Sequence, residues 1–97
     1  MSPPVWFKTL DHLASVPGNG YTDLTAPRGC NQDGIAAALG ITRAHVALNL
    51  KNLVNRELVM VRLLHVPGKN RKVRTYQLTF YGYKFLHELH TRRGQEV

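Results

Sequence analysis

A short segment near the middle of this chain carries side chains that can bind the edges of nucleic-acid bases. Arginine can pair with guanine and asparagine with adenine through two hydrogen bonds, each pair discriminating by about 1–3 kcal/mol. Arg43 and Asn49 are therefore predicted to contact bases or phosphates, and His45 is predicted to face the major groove of a duplex. Thr42 and Asn52 are predicted to contact backbone phosphates. The residues of this segment predicted to contact a duplex are Thr42, Arg43, Ala44, His45, Leu48, Asn49 and Asn52.

A second group of candidate residues lies in the basic stretch from Pro67 to Arg74. Flexible cationic side chains on a projecting turn can neutralise phosphates or enter a minor groove. In isolation, a solvated turn that favours solubility would explain these charges equally well. The stretch is not a phosphate-binding P-loop, because the required glycine spacing and the Ser/Thr after lysine are absent. The predicted contact residues are Lys69, Asn70, Arg71, Lys72 and Arg74.

Two short helices joined by a tight turn are predicted to position the first group. Asn31 can cap a helix that ends at Gly40, where glycine readily adopts the left-handed conformation. Thr42 can cap the next helix, whose apolar residues recur at helical intervals. The apolar residues of the second helix are Val46, Leu50, Leu53 and Val54, of which Val46, Leu50 and Leu53 are predicted to lie in the core. Ala44 and Leu48 are expected on the open side, where they can meet a thymine methyl group, although Leu48 could equally belong to an interface.

The flanking sequence predicts a first helix, two strands and a last helix. Pro3 and Pro4 suit a helix start, and Trp6 is expected in the core or in a dimer interface. Leu58 to Val66 is predicted as the first strand, and Val73 to Leu78 as the second, with Tyr76 and Leu78 on the covered face. Thr79 is expected to cap a last helix that continues to about Arg92. Its predicted apolar stripe is Phe80, Tyr83, Leu86, Leu89 and His90.

With Ala36, Gly40 and Val46 at helix-turn-helix intervals, this arrangement resembles the winged helix-turn-helix of MarR-like and related archaeal-type transcriptional regulators, over about residues 24 to 90. The resemblance implies an α+β, mostly α fold with a three-helix core, a two- to three-stranded β wing and a C-terminal helix. It suggests an additional short strand at Leu24-Thr25, and a homodimer formed through the first and last helices that reads a pseudo-palindrome. Cys30-Asn31 replaces the threonine cap of many relatives.

Composition bounds the interpretation. The chain has 97 residues, 13 Lys and Arg and 6 Asp and Glu, which give a net charge of +7. This excess of positive charge favours a polyanionic partner, but by itself it fits a generic soluble basic protein about equally well. We expect a single domain over 1–97, either alone or as the N-terminal part of a longer protein. The single Cys30, the interrupted apolar residues near the N-terminus and the short apolar runs predict a protein of the cytoplasm, or of the nucleus in a eukaryote.

Metal, cofactor and catalytic sites are not expected. His87, Glu88 and His90 do not form the HExxH pattern, and no third ligand follows from their spacing. The lone cysteine has no recognisable base partner, and no paired carboxylates or Gly-x-Ser-x-Gly motif occur. These observations predict a protein that is not an enzyme and that needs no cofactor.

Together these features predict a sequence-specific regulator that binds double-stranded DNA. Its recognition helix, residues 42–55, would enter the major groove, and its basic wing, residues 67–74, would contact the backbone or minor groove. The alternative is a winged helix that serves as a protein-protein interaction module of a larger assembly, which predicts an exposed apolar patch. Shape-selective binding of left-handed DNA or duplex RNA is disfavoured, because the wing lacks the tryptophan and proline-rich arrangement of Z-DNA readers.

Overall fold

Helices make up most of the described chain, and one β-hairpin precedes the last of them. The structure, a computed structural model, describes residues 3–16, 28–66 and 68–95. The elements, in chain order, are helix α1 (Val5–Ser15), a short 3-10 turn (Arg28–Cys30), helix α2 (Gln32–Leu39), helix α3 (Arg43–Asn55), strand β1 (Val59–Leu64), strand β2 (Val73–Leu78) and helix α4 (Phe80–Gln95).

Helix α1 begins where the sequence predicts and covers one side of the core. Pro4 has an extended backbone, and its carbonyl accepts hydrogen bonds from the N–H groups of Phe7 and Lys8, both at 3.1 Å. Residues three positions apart, Phe7, Leu10 and Leu13, are buried together. Trp6 stays at the edge of this packing, 37% exposed, with its ring centroid 5.9 Å from that of Phe85.

The connection between α2 and α3 has the predicted geometry. The Asn31 side-chain oxygen accepts from the N–H of Gly34 at 2.8 Å and so caps α2. At the other end, Gly40 adopts the left-handed conformation with φ of 68°, and its N–H donates to the Ala36 carbonyl at 2.9 Å. Ile41 packs against the core just before α3 begins.

The two strands form an antiparallel hairpin with Val59 opposite Leu78 and Leu64 opposite Val73. Strand β1 is shorter than the apolar run that predicts it. Tyr76 and Leu78 are buried as expected, at 4% exposed each. On its other edge, β2 makes an isolated antiparallel bridge from Thr75 to Asn31, so the cap of α2 is also fixed to the sheet. The strand expected at Leu24-Thr25 lies outside the described residues.

Helix α4 corrects the predicted apolar stripe. Thr79 caps it as expected, because its Oγ1 accepts from the N–H of Gly82 at 3.0 Å. Each step of three residues rotates a helix by about 60° away from an aligned stripe, so Phe80 and Leu89 lie on opposite sides. Leu86 is buried, whereas Phe80 is 80% exposed and Tyr83 is exposed. A side chain at Gly82 would overlap the Leu58 carbonyl oxygen, so α4 crosses the backbone before β1 at close range.

Candidate nucleic-acid interface

The capping of α3 determines where its first turn points. Thr42 Oγ1 accepts a hydrogen bond from the His45 N–H at 3.1 Å, and the Thr42 side chain remains exposed at the surface. Val46, Leu50 and Leu53 are buried, with only 0%, 1% and 2% of their surface exposed, so the opposite side of the helix is left open to solvent. The cap therefore leaves the Thr42 hydroxyl at the start of an exposed helical face, with its hydrogen still free to be donated.

The structure brings most of the predicted helix residues to this open face. Leu48 is 61% exposed, and Ala44, His45 and Asn52 are exposed around it. Lys51 lies on the same face and was missed, although it follows Ala44 by seven positions and Leu48 by three, a spacing that could have identified it. The outer face of α3 thus combines small, apolar, polar and cationic side chains, defined here as Ala44, His45, Leu48, Lys51 and Asn52.

Asn49 does not belong to this outer face, which corrects its predicted orientation. Its side-chain Nδ2 donates to Thr9 Oγ1 on α1 at 2.6 Å, and Thr9 is completely buried. The physical reason is the helical repeat, because position 49 returns to within about 60° of the buried Val46. The Asn49 amide therefore joins α3 to α1 and faces the body of the fold.

Arg43 occupies the flank of α3 that faces α2. Its side chain is 68% exposed, and its Nε donates to Gln32 Oε1 at 3.3 Å and lies 3.5 Å from Asp33 Oδ1. The guanidinium is thus held by its inner nitrogen and remains accessible to solvent. Neither Gln32 nor Asp33 is a candidate from the sequence, because their contacts with Arg43 arise only when α2 and α3 pack together.

The wing bends toward the same place. Gly68 adopts a positive φ of 91° in the turn, and the Lys69 N–H donates to the Val66 carbonyl at 3.0 Å. Lys69 Nζ then lies 3.2 Å from Asp33 Oδ2, so one carboxylate contacts both the wing and the start of α3. The remaining predicted wing residues, Asn70, Arg71, Lys72 and Arg74, are exposed.

Two adjoining clefts show how the wing and α3 share a surface. One, of about 460 Å³, lies between α2, the start of α3 and the hairpin, and its lining includes Arg43, Lys69, Lys72 and Arg74. The other, of about 430 Å³, lies between α3 and the hairpin and is lined by Lys51 and again by Arg74, among others. Arg74 therefore borders both clefts. Cations from two separate elements line one concave region, which favours anionic groups.

One histidine of α4, His90, contacts helix α1. His90 Nε2 lies 3.0 Å from Asp11 Oδ1, and the His90 ring packs edge-on against Phe7 at 5.5 Å. Within the described ranges, no three His, Cys, Asp or Glu residues are grouped so that they could hold a metal ion. No helix in the part of the chain that the structure describes has the length and apolar character needed to cross a membrane.

No protein-family model matches this chain, and no curated protein matches it in sequence. Among solved structures, the chain is similar to a complex of Staphylococcus aureus MepR with DNA, with a TM-score of 0.74, 21% identity and coverage of 97% of this chain and 66% of that one. It is also similar to a MepR mutant from a multidrug resistant S. aureus clinical isolate, with a TM-score of 0.73, 22% identity and coverage of 95% and 57%.

A third similar structure is MepR described as a transcription regulator of the S. aureus multidrug efflux pump MepA, with a TM-score of 0.59, 20% identity and coverage of 96% and 64%. The chain thus spans 57% to 66% of the length of these three structures. At such identities the likeness concerns the fold. It confirms the predicted winged helix-turn-helix fold, since this chain has the same arrangement of helices and hairpin as these neighbours.

Proposed function

We propose that this protein is a transcriptional regulator that binds double-stranded DNA through α3 and the wing. The observation that carries the proposal is the concave region in which cations of the wing and of α3 lie together. A helix fits the major groove, and basic side chains on an adjacent hairpin can reach the flanking phosphates. The solved complex of MepR with DNA, which has the same fold, supports this assignment.

Every predicted residue except Asn49 receives a role in the proposal. Arg43, Ala44, His45 and Leu48 contact base edges, Thr42 and Asn52 contact phosphates near the groove, and the wing residues contact the flanking backbone. Asn49 is left out, because its amide is bonded to Thr9. Lys51 is added, because it lies on the outer face and borders the cleft next to Arg74. A regulator of this kind acts where the chromosome is, which is the cytoplasm in a prokaryotic cell.

We further propose that two copies bind DNA together, joined through their first and last helices. Exposed aromatic side chains on α1 and α4 supply apolar area for such a contact: Trp6 is 37% exposed, Tyr83 40% and Phe80 80%. A two-fold dimer would present two copies of α3 and would read a pseudo-palindromic site. Sedimentation analysis of the wild type and of Phe80→Ala tests this part, since the variant is expected to dissociate at higher protein concentration than the wild type.

The same exposed aromatics favour the second candidate function, a module that docks on another protein. Phe80 and Tyr81 are 80% and 64% exposed, and their rings pack edge-on with their centroids 6.3 Å apart. Large exposed apolar side chains often mark a protein interface. Because these residues lie on α4 and the clustered cations lie on the wing and α3, the two candidate functions are tested by separate variants.

The experiment that tests DNA binding is a fluorescence anisotropy titration of a labelled random-sequence duplex at several salt concentrations. The logarithm of the affinity should fall with the logarithm of the salt concentration, with a slope of about −0.9 per phosphate neutralised. Selection from a random duplex pool should then yield a preferred site, and Arg43→Ala should relax its sequence preference. An affinity that does not respond to salt would refute the proposed function.

A further inference from the structure

The first turn of α2 holds Arg43 in place without covering it. Arg43 Nε is contacted by Gln32 Oε1 at 3.3 Å and by Asp33 Oδ1 at 3.5 Å. Among the described residues, the two terminal nitrogens of this guanidinium have no hydrogen-bond partner. These terminal nitrogens form the planar fork that pairs with two acceptors at once. The arginine is therefore restrained at its inner nitrogen and open at its outer end.

The restraint is anchored in the core. Gln32 Nε2 donates to the hydroxyl of Tyr76 at 3.1 Å, and Tyr76 is 4% exposed on β2. The turn that carries Gln32 is itself fixed, because Asn31 caps α2 and bridges to Thr75. A chain of contacts thus runs from a buried tyrosine through Gln32 to Arg43. This chain reduces the side-chain entropy that Arg43 would lose on binding a base.

Asp33 extends the same arrangement to the wing. Its second carboxylate oxygen lies 3.2 Å from Lys69 Nζ, so Asp33 is a shared partner of one cation on α3 and one on the wing. The carboxylate is half exposed, at 50%, and stands in the cleft lined by Lys72 and Arg74. Its negative charge therefore opposes a phosphate that approaches this cleft while it aligns the cations beside it.

We infer that Gln32 and Asp33 are positioning residues that act through Arg43 and determine how strongly the protein discriminates between base pairs. The inference rests on the proposed DNA binding. Gln32 orients the guanidinium, and Asp33 both orients it and weakens binding that relies on phosphate contacts alone. The competing explanation is that Asp33 is only a favourable acid in the first turn of α2, where negative charge stabilises a helix, and that Gln32 is only a surface residue.

The test compares binding of the selected duplex, of a panel with single base-pair changes, and of a random duplex by five variants. They are Arg43→Ala, Gln32→Ala, Gln32→Glu, Asp33→Asn and Asp11→Asn. The last is a matched control, since it changes the net charge as Asp33→Asn does but lies on α1, where Asp11 pairs with His90. Urea denaturation of each variant verifies that it is folded.

Arg43→Ala should lose discrimination at particular base-pair positions. Gln32→Ala and Asp33→Asn should lower discrimination at those same positions by about threefold or more, as part of the loss caused by Arg43→Ala. Gln32→Glu keeps an acceptor for Arg43 Nε and should therefore retain the discrimination that Gln32→Ala loses. Binding of the random duplex should be unchanged in Gln32→Ala and tighter by about two- to tenfold in Asp33→Asn. Asp11→Asn should leave the ratio between selected and random duplexes unchanged.

The inference is overturned if Gln32→Ala and Asp33→Asn keep full discrimination at the positions that Arg43→Ala affects, or if Arg43→Ala affects none. It is also overturned if Asp11→Asn reproduces the effect of Asp33→Asn, which would indicate a general effect of net charge, or if the loss is equal at every position. A wild type that binds duplexes in these experiments keeps the proposed function intact in all of these cases. A wild type that binds no duplex would overturn both.

Discussion

Removal of three wing cations should change the salt dependence of DNA binding by a calculable amount. Lys69, Arg71 and Lys72 are exposed on the wing and can be replaced together by alanine without opening the core. If each neutralises one phosphate at about 0.9 in the log-log slope, the triple variant should have a slope that is shallower by about 2.7. When the salt concentration rises fourfold, from about 50 to 200 mM, the fold-loss of affinity should be about 40 times larger for the wild type than for the variant.

The free protein makes these three cations unequal. Lys69 is already paired with Asp33, so it must exchange a carboxylate for a phosphate, and its removal should cost less affinity than removal of Arg71 or Lys72. An exposed pair of this kind contributes about 0–1 kcal/mol. The single variants should therefore rank with Lys69→Ala as the mildest. All three should weaken the binding of random and selected duplexes alike, because phosphate contacts carry little sequence information.

The assay is fluorescence anisotropy with a random duplex. The matched control is the triple variant Lys8→Ala, Lys84→Ala and Arg92→Ala, which removes the same amount of positive charge from α1 and α4. The control should keep most of the wild-type slope, because these residues lie on elements outside the two clefts described for α3 and the wing. A slope that changes by less than about 1 in the wing variant, or equally in both variants, would refute the assignment of the wing to phosphates.

Three further predictions concern the fold. Gly82→Ala should lower the free energy of unfolding by about 1–3 kcal/mol in urea denaturation, because a side chain there would overlap the Leu58 carbonyl; a gain in stability from the helix preference of alanine would contradict this. Asn31→Ala should cost about 0.5–2 kcal/mol through loss of the α2 cap, and Asn31→Asp should cost less in the same measurement. Tyr83 is 40% exposed, and the burial of the rest of its side chain, with a smaller contribution from the nearby Cys30, raises its pKa. A raised pKa means that stability is retained below the ordinary tyrosine pKa of about 10 and falls as pH rises through the folded-state pKa, so Tyr83→Phe should show a smaller fall, whereas identical pH profiles would contradict this.

Local chemistry made the element ends predictable. Asn31, Gly40, Thr42 and Thr79 act within three or four residues of themselves, through caps and a left-handed turn that any chain with these neighbours can form. The second strand, Val73–Leu78, followed in the same way from its composition and from the adjoining turn. The helix-turn-helix frame and most of the outer face of α3 could therefore be predicted from the residues alone.

The remaining features depend on how the elements pack against one another. Asn49 lies near the buried side of α3 by the helical repeat, but its partner Thr9 is forty positions earlier in the chain and is brought to it only when α1 packs against α3. Asp33 contacts Arg43 and Lys69 only because α2, α3 and the wing converge. On α4, the spacing of three that grouped Phe80 with Leu86 gave no indication of which side would face the core. Helical periodicity can list candidate faces, but contacts between elements select among them.

The junction at Thr79 has a consequence for the geometry of DNA sites. Thr79 Oγ1 donates to the Glu57 carbonyl at 2.6 Å, and the Thr79 N–H donates to the Leu58 carbonyl at 3.1 Å. These two hydrogen bonds fix the start of α4 to the segment that follows α3. In a pair of copies joined along α4, the two α3 helices would keep a fixed separation and a fixed angle about the DNA axis. Lengthening the spacer between half-sites by one base pair would turn one half-site by about 34° relative to the other. We expect such a site to lose the benefit of the second copy.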